Sequence, residues 1–276
     1  MSDAAFWQRM TAQVQSQCDA FAGVMGVCVK EITTDNTLQI RGDEIFPTAS
    51  TIKIHVLTQL LSRVERGEVD LQQKITVTPA LLTTGSGILS YLDGTLDLSV
   101  LDLANLMIIV SDNAATNLCI DLAGMDETNA LLRALGLTQT TLRRKMQDTA
   151  AMARNDENVA TPTECVRMLE LLYHGKPTPQ VAEQALRILK KPNNGPIKRA
   201  LPNQVVASKP GGMVRVRCDT GIVFLPRRPY LIAVMTKFGG EHPLDQEKAV
   251  TDVVRTVHET MAILDDSSEF GQGLPR

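Results

Sequence analysis

Strand-like segments lie at both ends of the chain, and helix-like segments lie between them. Near the N-terminus, Val24–Ile32 and Leu38–Gly42 are β-rich and are separated by a turn, which predicts a hairpin. Near the C-terminus, Val205–Gly212, Val216–Leu225 and Tyr230–Lys237 alternate with turns, as in an antiparallel meander. Because the intervening sequence is helical, the two ends of the chain are expected to complete one sheet together.

The predicted fold class is α/β of the α+β kind, an antiparallel sheet flanked by terminal helices plus an inserted all-helical lobe. The terminal helices are predicted at residues 3–21 and 244–264. We assign residues 1–45 and 196–276 to a discontinuous α/β lobe and residues 46–195 to the helical lobe. A seam between two such lobes is a frequent location for an active site.

Composition excludes several classes of partner. The net charge of −3 gives no reason to expect nucleic acid or an anionic membrane surface, and no apolar run is long enough to span a bilayer. The five cysteines are scattered and form neither a CxxC pair nor a cluster with histidine, so no metal site or disulfide framework is indicated. We therefore expect no metal and no cofactor, and we expect a monomer.

The N-terminal segment Met1–Arg9 is polar and lacks the basic and apolar regions of a signal peptide. As written, the chain is expected in the cytoplasm. If a leader preceded this sequence, a periplasmic or secreted location is expected instead.

A serine and a lysine three residues apart open the helical region, as Ser50 and Lys53. Pro47 and the apolar residues that follow predict a helix starting at the serine, so both side chains share one face. A serine hydroxyl is a weak nucleophile and needs a base, and a lysine can be that base if burial or a cation lowers its pKa. The pair alone is weak evidence, since this spacing is common on ordinary helices.

Two further polar groups are placed where they could meet this pair. Ser111, Asp112 and Asn113 stop the most hydrophobic predicted helix, although by themselves they read as a helix-capping turn. Lys209 lies on a predicted strand of the other lobe and is followed by glycines. These positions would allow three groups to converge on one cleft.

Ser50-x-x-Lys53, Ser111-Asp112-Asn113 and Lys209-Pro210-Gly211 together resemble the active-site motifs of the penicillin-recognising serine hydrolases, specifically the class A β-lactamases. The three motifs stand in the same order, and the similarity covers nearly the whole chain. The resemblance implies an acyl-serine hydrolase acting on β-lactams or related amides and esters, without a metal or cofactor.

The resemblance also implies a role for each residue. Ser50 attacks a carbonyl, Lys53 takes its proton, and Ser111 relays a proton to the leaving nitrogen. In addition, Asn113 would bind the substrate's side-chain amide and Lys209 its carboxylate. The backbone N–H groups of Ser50 and Gly212 would form an oxyanion hole, and glycine at 211 and 212 lets substrate approach the strand closely.

Two departures from the family pattern bear on substrate and turnover. Pro210 stands where a threonine or serine is usual, so a hydroxyl that would help to hold the substrate carboxylate is missing. The Ω-type loop lacks the family's glutamate: Met146 falls near that position, and the nearest carboxylate is Asp148. Asp148 is either a substitute catalytic base or a loop-capping residue.

Slow deacylation is therefore expected, and two alternatives stay open. One is a cytoplasmic esterase, amidase or peptidase on the same fold with little β-lactam turnover. The other is a ligand-binding module that does not turn over.

Overall fold

The computed structural model describes residues 2–240 and 242–274. The helices of these residues are α1 (Ser2–Ala20), α2 (Lys53–Glu65), α3 (Val100–Ile109), α4 (Asn113–Ala123), α5 (Met125–Ala134), α6 (Thr149–Ala153), α7 (Pro162–Tyr173), α8 (Pro179–Leu189), α9 (Pro196–Ala200) and α10 (Pro243–Asp265). Among the described residues, no helix combines the length and apolar character needed to cross a membrane.

The main sheet is antiparallel and five-stranded, in the order β2-β1-β9-β8-β7. Two small two-stranded pairs, β3 with β6 and β4 with β5, lie among the helices. The strands are β1 (Val24–Glu31), β2 (Thr37–Ile40), β3 (Phe46–Pro47), β4 (Lys74–Val77), β5 (Leu96–Ser99), β6 (Val159–Ala160), β7 (Val206–Met213), β8 (Val216–Val223) and β9 (Tyr230–Lys237).

Each face of the sheet packs against a different set of helices, because successive side chains of a strand point to opposite faces. On β9, Ile232 and Val234 join an apolar cluster with residues of α1 and α10. Leu231 and Ala233 join a second cluster, which includes the buried sides of α2, α7 and α8. Strand β7 is an edge strand of the sheet, and it contacts the turn before α2.

The predicted fold class is confirmed, with an antiparallel sheet built from the two ends of the chain and helices between them. The long helices α1 and α10 lie against the sheet, as expected for flanking terminal helices. The lobe boundaries at residues 45/46 and 195/196 stay a prediction.

Candidate active site

Ser50 lies in a 3-10 turn, Ala49–Ile52, immediately before α2. The sequence predicted an α-helix from the serine onward, whereas the α-helix starts at Lys53. Ala49 has a φ of 44°, in the left-handed region that is costly for a residue with a Cβ atom. A strained residue beside the serine indicates that the surrounding structure holds this turn in place.

Strand β7 packs against the backbone of this turn at Gly211. A Cβ atom on Gly211 would lie 2.8 Å from the Ser50 nitrogen and 2.9 Å from the Thr48 carbonyl oxygen. Those distances are shorter than side-chain packing allows, so only glycine permits this approach. The sequence predicts glycine at 211 so that substrate can approach the strand, whereas in the structure it is the Ser50 turn that approaches Gly211.

Lys53 connects α2 to the turn between α3 and α4. Its side chain is buried, and Nζ donates to the Ser111 carbonyl oxygen at 2.8 Å, to Ser111 Oγ at 3.0 Å and to Asn113 Oδ1 at 3.1 Å. Ser111 has a φ of 57°, in the left-handed region that is costly for a residue with a Cβ atom. One amine therefore contacts two of the three polar residues that the sequence singled out in this turn, Ser111 and Asn113.

Asp112 holds the same turn from its other side. Its Oδ1 accepts the Ala115 N–H at the start of α4, and its Oδ2 accepts the N–H groups of Ile88 and Leu89. Asp112 is therefore a helix cap that also ties the glycine-bearing loop to α4. Asn113 then donates to the Thr84 carbonyl oxygen in that loop.

Lys209 reaches the same hydroxyl from the sheet. Its buried Nζ donates to Ser111 Oγ at 3.1 Å and to the Pro210 carbonyl oxygen at 2.9 Å. Ser111 Oγ thus lies between two lysine amines, one from α2 and one from β7. Three of the predicted residues, Lys53, Ser111 and Lys209, form one hydrogen-bonded cluster.

Burial lowers the pKa of both lysines. Loss of hydration holds the pKa of Lys53 well below its ordinary value, and the nearby Lys209 charge lowers it further. Burial also lowers the pKa of Lys209, to about 7, against the opposing effect of Asp219. A lysine in the position of Lys53 is neutral more readily than an exposed one and can accept a proton.

A cleft of about 520 Å³ opens beside this cluster, and Ser50, Asn113 and Gly212 line it. Its far wall carries the methionines Met146 and Met152. Among the residues that the structure describes, no aspartate or glutamate lines the cleft. The described residues also contain no group of three or more histidine, cysteine or carboxylate side chains that could hold a metal ion.

Asp148 is the N-cap of α6, where its Oδ1 accepts the Ala151 N–H at 2.9 Å. It is not among the residues that line the cleft. Met146, in contrast, lines the cleft. The side chain of Asn117 holds the Met146 backbone: its Oδ1 accepts the Met146 N–H at 2.7 Å, and its Nδ2 donates to the Met146 carbonyl oxygen at 3.2 Å. The structure thus gives Asp148 the capping position that the sequence left open.

Sequence reasoning missed the residues that fasten the Ω-type loop. The side-chain Oδ1 of Asn158 accepts hydrogen bonds from the N–H groups of Arg143 and Arg144. The backbone carbonyl oxygen of Asn158 accepts from the N–H group and the hydroxyl of Thr48. The guanidinium of Arg144 pairs with Glu157 at 2.7 Å. No local spacing pattern identifies these residues, because their partners are distant in sequence or depend on the loop's shape.

Arg217 is a second residue that the sequence did not indicate. It faces Gly212 across the β7–β8 pair, and a Cβ atom on Gly212 would lie 1.7 Å from Arg217 Nη1. Its Nε is buried and has no hydrogen-bond partner within the described residues. The guanidinium therefore lies against the strand residue that lines the cleft next to Ser50.

This geometry, a cleft-lining serine in the turn that leads to a buried lysine and a second serine hydroxyl between two lysine amines, is that of a serine hydrolase. A model of the β-lactamase enzyme family matches residues 9–261, and the chain belongs to that family. It is an enzyme of the class A β-lactamase type with the corresponding fold.

Relatives match over nearly the full length. A β-lactamase from Sphaerobacter thermophilus is 31% identical, with a TM-score of 0.86 over 93% of this chain and 98% of that one. The acyl-enzyme complex of a PBP-A mutant with penicillin G is 26% identical, with a TM-score of 0.82 over 94% of this chain and 97% of that one. β-Lactamase VEB-1 of Pseudomonas aeruginosa is 24% identical, over 89% of this chain and 88% of its own length.

Proposed function

We propose that β-lactams, or related amides and esters, acylate this protein at Ser50. The observation that carries the proposal is the Lys53–Ser111–Lys209 cluster at a cleft that Ser50 itself lines. A serine in this environment has a base nearby, and space for a substrate of penicillin size lies in front of it. The relatives whose names identify them as β-lactamases support the same substrate class.

In the proposed acylation, Ser50 Oγ bonds to the substrate carbonyl carbon and the ring C–N bond breaks. The proton leaves Ser50 for the neutral Lys53 amine, directly or through water, because burial and Lys209 lower the pKa of Lys53. Ser111 Oγ, which accepts from both amines, then passes a proton to the departing nitrogen. The product is an ester on Ser50 and a secondary amine.

The oxyanion that forms would be bound by the backbone N–H groups of Ser50 and Gly212. Both residues line the cleft, and β7 packs directly on the serine turn through Gly211. Each such donor contributes about 2.7–4 kcal/mol to transition-state stabilisation. Asn113, held by Lys53 and by the Thr84 carbonyl, would bind the substrate's side-chain amide.

We assign the substrate carboxylate to Arg217 together with the charge of Lys209. The Lys209 amine is fully buried and already donates to Ser111 and Pro210, and Pro210 offers no side-chain hydroxyl. The Arg217 guanidinium lies against Gly212 with a buried, unpaired Nε among the described residues. An anion placed there would supply that missing partner.

Deacylation would be slow, because the cleft wall near the ester carries Met146 and not a carboxylate. Asp148 is bonded to the α6 backbone, so we leave it out of the catalytic group. The protein would then behave as a penicillin-binding enzyme with a long-lived adduct. Nitrocefin should give a stoichiometric burst followed by a slow steady state, and Ser50→Ala should abolish both phases.

A second candidate substrate class is a small ester or peptide-like amide, which the missing hydroxyl at Pro210 favours. Hydrolysis of p-nitrophenyl esters that Ser50→Ala abolishes, without any nitrocefin burst, would decide for that class. A protein that neither bursts with nitrocefin nor hydrolyses esters would contradict both versions of the proposal.

A further inference from the structure

Four of the residues that line the cleft are large and apolar, and the proposed chemistry does not use their side chains as reacting groups. Met146 lies in the Ω-type loop and Met152 in α6, which follows it. Met213 is the last residue of β7, and Val214 is in the turn after it. We call these four residues the apolar end of the cleft.

The register of β7 places Met213 on the side of the sheet where the serine turn lies. Side chains alternate along a strand, so Met213 points to the same face as position 211, where the strand meets the Ser50 turn. On that face Met213 packs against the apolar cluster that includes Met146. Gly212 directly precedes Met213, so the apolar end begins roughly 3.3 Å along the strand from the residue that offers the oxyanion N–H.

Arg144 joins the two walls of the cleft. Its Nη2 lies 3.8 Å from Met213 Sδ, and Met146 follows it by two residues along the loop. Among the cleft residues that the structure describes, the Arg144 guanidinium is the one charged group, and Glu157 neutralises it. Nη2 is 2.7 Å from one oxygen of that carboxylate and 2.9 Å from the other. The apolar end therefore offers a ligand apolar surface with no net charge beside it.

Part of this apolar surface is exposed in the free protein. The exposed fraction is 42% for Met152 and 87% for Val214. Exposed apolar surface at the mouth of a cleft is typical of a ligand-binding site. Methionine side chains are flexible and polarisable, and their sulfur atoms make favourable contacts with aromatic rings. Such a surface suits an aromatic or branched alkyl group better than an ionised one, whose loss of hydration it cannot compensate.

We propose that the apolar end binds the acyl side chain of the substrate and selects a bulky, uncharged group such as an aryl ring. This inference rests on the proposed acylation of Ser50, because it names the substrate class for that reaction. Asn113 would hold the amide at the base of the side chain, and the apolar end would hold the distal part. Substrates with small or ionised side chains are then acylated more slowly.

Penicillins that share one nucleus and differ in the acyl side chain test this selection. The second-order acylation rate constant of penicillin G, whose side chain is phenylacetyl, should exceed that of the acetyl analogue by at least about 10-fold. A phenylacetyl side chain with a carboxylate on its α-carbon should react more slowly than penicillin G, because that charge finds no compensation. Equal rate constants for the three, or a preference for the acetyl or carboxylated compound, would overturn the proposal.

The double substitution Met213→Gln and Val214→Thr makes the apolar end polar and keeps the length and branching of both side chains. It should lower the ratio of the penicillin G rate constant to the acetyl rate constant by at least about 3-fold. Because the readout is a ratio, a general loss of activity does not imitate the effect. Slowing of both penicillins in equal proportion would leave the ratio unchanged and would overturn the proposal.

Val205→Thr is the matched control. Val205 is also an exposed valine beside β7, with 57% of its surface exposed, but it precedes the other end of the strand and is not among the residues that line the cleft. The rate ratio of this variant should equal that of the wild type. A fall as large as that of the double variant would show that loss of any exposed apolar group near β7 produces the effect, and the proposal would be wrong.

Binding to Ser50→Ala separates the subsite from the chemistry, because this variant has no hydroxyl to acylate. By calorimetry, Ser50→Ala should bind penicillin G at least about 10-fold more tightly than the acetyl analogue. That preference, in a protein whose wild-type form penicillin does not label, would support the subsite and contradict the proposed acylation. Equal affinities, with normal labelling of the wild type at Ser50, would overturn the subsite and leave the acylation in place.

Discussion

Replacing Met146 with glutamate should accelerate the deacylation step, which the proposed function expects to be slow. Met146 lines the cleft, only 9% of its surface is exposed, and the Asn117 side chain fixes its backbone. Its side chain is therefore held at the cleft wall, where a carboxylate would be positioned to activate water against the Ser50 ester. The new charge would be compensated by the lysine cluster beside Asn113.

The size of the effect follows from general-base catalysis, which contributes about 10²–10⁴-fold to a rate. Met146→Glu should raise the deacylation rate constant by at least about 100-fold. The acylation rate should change little, because the Lys53–Ser111–Lys209 cluster is untouched. The steady-state phase with nitrocefin should rise towards the burst rate, and the adduct half-life should shorten in parallel.

Met152→Glu is the matched control for this substitution. Met152 is also a methionine of the cleft lining, but it belongs to α6 and 42% of its surface is exposed. A solvated carboxylate there should leave deacylation near the wild-type rate. The reasoning is refuted if both variants accelerate deacylation equally, or if Met146→Glu folds, acylates and deacylates no faster than wild type.

Three further predictions concern single residues. Arg217→Gln should slow acylation by penicillins about 10- to 100-fold, because it removes a charged hydrogen bond worth about 1.5–3 kcal/mol. Acylation by a penicillin ester, which lacks the free carboxylate, should not be slowed. Equal slowing with both substrates would contradict the role of Arg217. Gly211→Ala should reduce acylation at least about 100-fold by displacing the Ser50 turn, whereas Gly273→Ala, with open space around it, should not. Burial lowers the pKa of His55 to about 4, so the neutral ring is favoured in the folded state. The folded protein then binds fewer protons than the unfolded chain, so stability should fall by on the order of 3 kcal/mol from pH 6.5 to 4. In denaturant titrations, the folding stability of His55→Leu should therefore fall less than that of the wild type between pH 6.5 and 4. Equal losses of stability in the two proteins would refute the prediction.

Much of the architecture could be predicted because it depends on patterns within single segments. The β-rich composition of 24–32 and 230–237 predicts strands, and the apolar run 98–110 predicts the helix that ends at the Ser111 turn. The start of α2 was predicted three residues too early. The positive φ of Ala49 and the 3-10 turn depend on contact with β7, which no local pattern contains.

The residues of the candidate site likewise fall into two groups, those that a local motif identifies and those that depend on distant contacts. Ser50, Lys53, Ser111 and Lys209 stand in motifs whose order along the chain indicates a common function. The structure brings Lys53, Ser111 and Lys209 into one hydrogen-bonded cluster. Asn117, Asn158 and Arg217 matter through partners remote in sequence or fixed by loop geometry. Such residues are visible only when the loop and sheet geometry is known.

The position of the acyl group is the most direct test of the proposed chemistry. After reaction with penicillin G, tryptic peptide Gly42–Lys53 should carry the mass of one intact penicillin, and fragmentation should place it on Ser50. Ser50→Ala should carry none, and Lys53→Met should acylate far more slowly. An adduct on another peptide, or an unmodified wild-type protein after prolonged exposure, would contradict the claim that the lysine cluster activates Ser50.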